Sequence, residues 1–126
     1  PMINTKRDAE IFARAMKFPP LGERSYGPRH AALVYGVEVS EYVEKANNHT
    51  YSFAQVETLE SYENLDDILS VDGIDGVLMG PSDFSIFVTG NSKPDPYGPD
   101  TVELVRDIAE RTRKAGKIAA AFIKNI

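Results

Sequence analysis

Three short β-forming runs, at residues 51–57, 76–80 and 117–125, recur along this chain with an amphipathic helical pattern between each pair. In the first connection Thr58 stands as a cap, and Tyr62, Leu65, Ile68 and Leu69 form an apolar stripe at helical spacing. In the second, Asp100 with Glu103 opens a helix that turns Val102, Val105, Ile108, Ala109 and Thr112 inward and stops at Gly116. Strands joined by helices of this length run parallel, through right-handed crossovers. The pattern therefore predicts an α/β fold, either a doubly wound sheet or a piece of a (β/α)8 barrel. In both, chemistry collects at the carboxyl ends of the strands.

The rest of the chain fits around that frame. Thr5 and Asp8 have the spacing of a capped helix start, and Ala9, Phe12, Ala13 and Met16 give a helix over 6–17, ended by Pro19 and Pro20. Residues 21–39 read mostly as loop with a short helix near Ala31, and 40–47 as a short helix. Three of the eight prolines fall within residues 91–100, which read as loop. The expected order is α, loop, β, α, β, α, β.

The 126 residues are 42% apolar, enough for one domain's core. A formal charge of −5 and a pI near 5.0 argue against nucleic acid as a partner, whose phosphates need a basic face. No apolar run approaches membrane-spanning length, so no membrane partner is expected. The absence of cysteine removes disulfides and thiolate metal sites and fits a cytoplasmic location. The chain opens on Pro1 rather than methionine, close to its first helix, and is expected to be a segment of a longer protein.

The stretch Asp72–Ser85, DGIDGVLMGPSDFS, holds the candidate chemistry. Glu57 ends one strand and Asp83 lies just past the end of the next. Neighbouring parallel strands lie about 4.8 Å apart, so two carboxylates at the same end reach one point. With water completing the sphere they make an oxygen-only site suited to Mg2+ or Mn2+. Without a cation they repel one another. Gln55 shares the face of Glu57 and is placed to hydrogen-bond a ligand beside the metal. Gly80 lets backbone approach a small ligand, Pro81 fixes the following turn, and the N–H groups of Ser82 and Asp83 are left to meet an anion. Asp83 equally fits the simpler role of capping a turn.

At AQVET and DGIDGVLMGPSDFS the chain resembles the HpcH/HpaI aldolase family, the divalent-metal-dependent 2-oxo-acid aldolases, and the likeness continues through PMINTKRDAE, KFPPLGERSYGP and YVEKANN. The resemblance implies a partial (β/α)8 TIM barrel, from the exit of strand four through strand seven, forming one incomplete segment over residues 1–126. It implies an aldehyde-lyase that cleaves 4-hydroxy-2-oxo acids to pyruvate and an aldehyde through a metal-stabilised enolate. It maps a divalent metal (Mg2+ or Mn2+, with Co2+ also acceptable) onto Glu57 and Asp83, and oxo-acid binding onto Gln55, Gly80, Pro81 and Ser82. A 2-oxo acid is then the small-molecule partner, and a homo-oligomer, a hexamer in the family, is expected.

The resemblance also has gaps. The family's catalytic histidine and an arginine belong to the first barrel strands, and neither His30 nor His49 sits in a matching motif, so no catalytic residue is assigned. His49 is expected at the start of a strand, at its wrong end, and His30 in the loop as a solvated or packing residue. Arg24 matches a family position near the pocket mouth. Two alternatives are an oxaloacetate-decarboxylating relative similar to macrophomate synthase and a non-catalytic truncated domain. A CoA-ester lyase gains nothing from the acidic balance. Supplied with Mg2+ and a 4-hydroxy-2-oxo acid, the 126-residue chain alone is expected to give no retro-aldol rate above background, and a measurable rate overturns that expectation.

Overall fold

A computed structural model describes residues 1–90 and 92–122. The elements are α1 (Lys6–Met16), α2 (Arg29–Tyr35), α3 (Val39–His49), β1 (Phe53–Val56), α4 (Leu59–Glu63), α5 (Leu65–Leu69), β2 (Gly76–Met79), α6 (Pro81–Thr89), α7 (Pro99–Lys114) and β3 (Ile118–Ala121). The three strands form one parallel sheet in the order β1-β2-β3. The first residues extend it on the far side of β1. Met2 bridges Gln55 in parallel sense, Ile3 N–H donates to the Gln55 carbonyl at 3.0 Å, and Gln55 N–H donates to the Pro1 carbonyl at 3.0 Å. Spatial order thus follows chain order, without the reversal of a doubly wound sheet, which selects the barrel-type alternative.

Alternation decides which side of the sheet is covered. Ala54 and Val56 on β1, and Val77 and Met79 on β2, face the helices and are buried. One cluster joins Ile3 and Ala54 to Ala9 and Ala13 of α1 and to Ile68. A second joins Val56, Val77 and Met79 to Leu65, Phe84 and Ile108, from three different helices. On the opposite face Met2 is 49% and Ile118 is 47% exposed, and the ring of Phe53 lies against Gly76. Barrel walls have this two-sided character, with helices outside and a second apolar face turned inward.

Several elements differ from the sequence expectation. α6 was not expected, because Gly80-Pro81 reads as a strand breaker. Proline at the first helical position loses no hydrogen bond and is already set at helical φ, so the pair starts a helix instead. The stripe from Thr58 to Leu69 is two helices, divided at Asn64, whose side-chain N–H donates to the Asn4 carbonyl at 2.9 Å. α3 is longer than residues 40–47, and His49 closes it rather than opening a strand. His30 lies in α2, not in a loop. The strands are shorter than expected, and the end of the 117–125 run lies outside the described residues.

Other expectations hold with their physical causes visible. The Thr5 hydroxyl accepts from Asp8 N–H at 3.2 Å, and the Asp8 carboxylate accepts from Thr5 N–H at 2.9 Å. The Thr5 hydroxyl also donates to Asp8 Oδ2 at 2.8 Å, and this bond first, with those from the Thr5 and Asn4 N–H groups, holds the Asp8 carboxyl below its usual range. Gly116 ends the α7 turn with φ 73°, a conformation in which side chains are disfavoured. At the other end of the loop region, Asn47 accepts from Phe18 N–H at 2.7 Å and donates to the Phe18 carbonyl at 3.0 Å.

Truncation inside the first cluster should cost far more than truncation on its rim. Ile68→Ala, at a fully buried site, is expected to lower stability by about 2–5 kcal/mol in urea unfolding. Ile11→Ala, on the exposed side of α1, is expected to change it by less than about 0.5 kcal/mol.

Candidate functional site at the strand ends

The register of the sheet determines what meets at its carboxyl edge. Met2 pairs with Gln55, and Gln55 with Leu78. Two residues further along, the same register brings Asn4, Glu57 and Gly80 to one level, and Gly80 N–H still donates to the Val56 carbonyl at 3.4 Å. Glu57 is 5% exposed, unusual for a carboxylate. Gln55 supports it from one layer below, its side-chain N–H donating to Glu57 Oε2 at 2.6 Å. Gly80 faces it from the next strand: a Cβ built on Gly80 would stand 2.3 Å from that same oxygen. The glycine is therefore a matter of space for the acid, because its φ of −102° suits any residue.

Asp83 lies on the next loop along the same edge, in the first turn of α6, and is exposed. The Gly80 carbonyl accepts the first intrahelical bond, from Phe84 N–H at 2.9 Å. The N–H groups of Ser82 and Asp83 consequently have no acceptor within the helix. Pro81, first in the helix, contributes no N–H. Among the described residues no three of His, Asp and Glu gather into a ligand cluster, so Glu57 and Asp83 are at most a two-carboxylate set.

Sequence reasoning missed the polar network behind Glu57. The Thr58 hydroxyl accepts from Ser61 N–H at 3.0 Å and donates to Asn4 Oδ1 at 2.7 Å, while Ser61 Oγ donates to the Thr58 carbonyl at 2.7 Å. The Thr-x-x-Ser spacing signals the capping box, but nothing in the sequence signals the tie to Asn4, 54 residues away.

With this geometry in place, likeness to known proteins can be judged. Residues 1–124 match the family described as HpcH/HpaI aldolase/citrate lyase. The chain belongs to that family. It is 38% identical over 122 residues to the hydroxypyruvate/pyruvate aldolase of Rhizorhabdus wittichii, covering 97% of this chain and 47% of that protein. It is 39% identical over 124 residues to the 2-keto-3-deoxy-L-rhamnonate aldolase of Klebsiella pneumoniae, covering 98% and 45%. In structure it resembles the HpcH/HpaI aldolase of Desulfitobacterium hafniense with a TM-score of 0.81 and 26% identity, over 100% of this chain and 48% of that one. Macrophomate synthase is similar at a TM-score of 0.71 over 97% of this chain and 43% of that one, but at 23% identity this likeness shows the fold alone. The chain thus spans about half the length of the relatives it matches.

This HpcH/HpaI family chain does not bring every singled-out residue to the strand ends. The Arg24 guanidinium stacks over Phe18, 4.6 Å from the ring centroid, with Tyr42 at 6.0 Å. Phe18 is bound to Asn47, near the entrance to β1, whereas Glu57 follows its exit. His49 likewise precedes β1. Among the described residues no helix is long and apolar enough to cross a bilayer.

Gly80→Ala offers a direct check of the packing. The atom it would crowd is the tip of a flexible side chain, so stability should fall by less than about 1 kcal/mol while the carboxylate is displaced from Gln55. The expected readout is a changed Gln55 side-chain amide resonance in the folded variant. An unchanged resonance contradicts the described contact.

Proposed function

We propose that this chain supplies the metal-holding side of the active site of a class II aldolase, a lyase that cleaves 4-hydroxy-2-oxo acids to pyruvate and an aldehyde. The observation that carries this reading is the buried Glu57 carboxylate at the strand end, braced by Gln55 and accommodated by Gly80. Aldolase names among the relatives give it further support.

The donor set fits a hard divalent cation. Glu57 and Asp83 offer only oxygen, no cysteine exists to favour a softer metal, and two carboxylates leave room for water and substrate oxygens. When bound, such a cation supplies positive charge beside the 2-oxo group, where it stabilises the negative charge of an enolate. The chain's own residues do the rest of the binding work assigned here. Glu57 and Asp83 hold the cation, and Gln55 keeps the Glu57 carboxylate oriented. The free N–H groups of Ser82 and Asp83, at the positive end of α6, donate to the carboxylate of the oxo acid. Pro81 sets that first turn, and Gly80 leaves the space in which acid and ligand meet. Proton transfer is assigned to neither His30 nor His49. A homo-oligomer belongs to the same reading, supported by Leu33, Val34 and Tyr35, all exposed on α2.

Mn2+ titration of the folded chain tests the proposal. Saturable binding is expected, weakened at least about tenfold by Glu57→Gln and also by Asp83→Asn, each of which removes a ligand charge. Binding that survives both substitutions, or no binding by the folded chain, contradicts the proposed site.

A further inference from the structure

Resting on that reading of Glu57, we infer that Asn4 is a positioning residue for the site, tying the exit of the N-terminal segment to the turn that carries the acid. Glu57 occupies the last position before that turn. On one side of it the sheet holds the backbone, through the bond from Gly80 N–H to the Val56 carbonyl. On the other side Thr58 is the next residue, 7% exposed, and among the described residues its only long-range tether is the hydroxyl bond to Asn4 Oδ1 at 2.7 Å. Asn4 is itself gripped at three points. Its N–H donates to Asp8 at 3.3 Å, its carbonyl accepts from Asn64 at 2.9 Å, and its side chain receives Thr58.

The chemistry of the network separates this role from plain support of the fold. If the Asn4 side chain is removed, the Thr58 hydroxyl has a second acceptor in reach, Ser61 Oγ at 3.1 Å. The capping box of α4 thus still forms, with Ser61 N–H donating to Thr58 and Ser61 donating to the Thr58 carbonyl, but without its anchor to Asn4 it opens more often. The bond from Asn64 goes to the Asn4 main chain and is also retained. What disappears is a side-chain link between two adjacent strand exits, one residue along the chain from the carboxylate. Groups bonded to a ligand orient it without touching the ion and are worth about 10–100-fold in metal affinity; Asn4 acts one residue removed, through Thr58, so the lower end of that range applies.

The test compares Asn4→Ala, Thr58→Ser and Asn47→Ala in the 126-residue chain, by Mn2+ titration and by amide hydrogen exchange without metal. Asn4→Ala is expected to weaken Mn2+ binding about tenfold and to speed exchange at Thr58 and Ser61. Thr58→Ser retains the hydroxyl and is expected to keep both near the parent values. Asn47→Ala breaks the two bonds to Phe18 and is expected to lower thermal stability while leaving Mn2+ affinity unchanged. Unchanged affinity in Asn4→Ala, alongside lost affinity in Glu57→Gln, overturns the role of Asn4 and leaves the metal site standing. Unchanged exchange at Thr58 and Ser61 overturns it too, whatever the metal does. A folded parent that binds no Mn2+ removes the site, and this inference with it.

Discussion

Parallel pairing in chain order is the constraint on which everything else in this molecule depends. Because residues 1–3, β1, β2 and β3 lie side by side and run the same way, every loop that follows a strand emerges at one edge. The pairing of Gln55 with both Met2 and Leu78 then determines which residues share a level there. A slip of one residue would turn Ala54 and Val56 away from the helices and drive Gln55 and Glu57 into the apolar layer. Burying an unpaired carboxylate among Leu65, Val77 and Ile108 would cost several kcal/mol at least. The hydrophobic pattern that forms the core therefore also aims the acid, and the two cannot be separated by mutation of the strand.

Gly80 and Pro81 show how one short turn serves both layers. The glycine stands where any Cβ would meet the Glu57 carboxylate, and the proline immediately begins α6. Phe84, three residues on, is 1% exposed and anchors that helix in the same cluster as Val56 and Met79. The direction of α6, and with it the direction of its free N–H groups, is thus set by core packing rather than by the turn alone. Asp83 gains from the same arrangement, since an acid in the first turn is favoured by the helix end even without a ligand.

The parts of the fold legible in the sequence are those with a local cause. β1, β2 and the long α7 announce themselves by periodicity, α1 by its Thr5–Asp8 cap, and the placement of Glu57 and Asp83 by the rule that loops after parallel strands share an edge. α6 was hidden because the same Gly-Pro pair is a breaker inside a helix and a starter at its first position. The split at Asn64 and the tether from Thr58 to Asn4 join residues 54 to 60 apart, and no period records such a bond. Arg24 illustrates the converse. The family resemblance matched it to a position near the pocket mouth, but here the cation settles on Phe18, at the entrance to β1, because a buried aromatic face lay within reach.

The state of Glu57 carries the functional argument one step further. A carboxylate has about four acceptor positions, and Gln55 fills one, on Oε2. Among the described residues the single side-chain atom both buried and without a partner is Ser52 Oγ, at the opposite end of β1. The remaining Glu57 oxygen is therefore neither sealed off nor satisfied by any described residue, although the residue as a whole is 5% exposed. A carboxylate held this way is costly as a purely structural element, since a glutamine or a leucine at the same point would pack without the charge. It makes physical sense as a group with one oxygen braced by Gln55 and the other left open. On the proposed reading of the site, such an arrangement would stabilise an incoming cation more than it stabilises the empty fold.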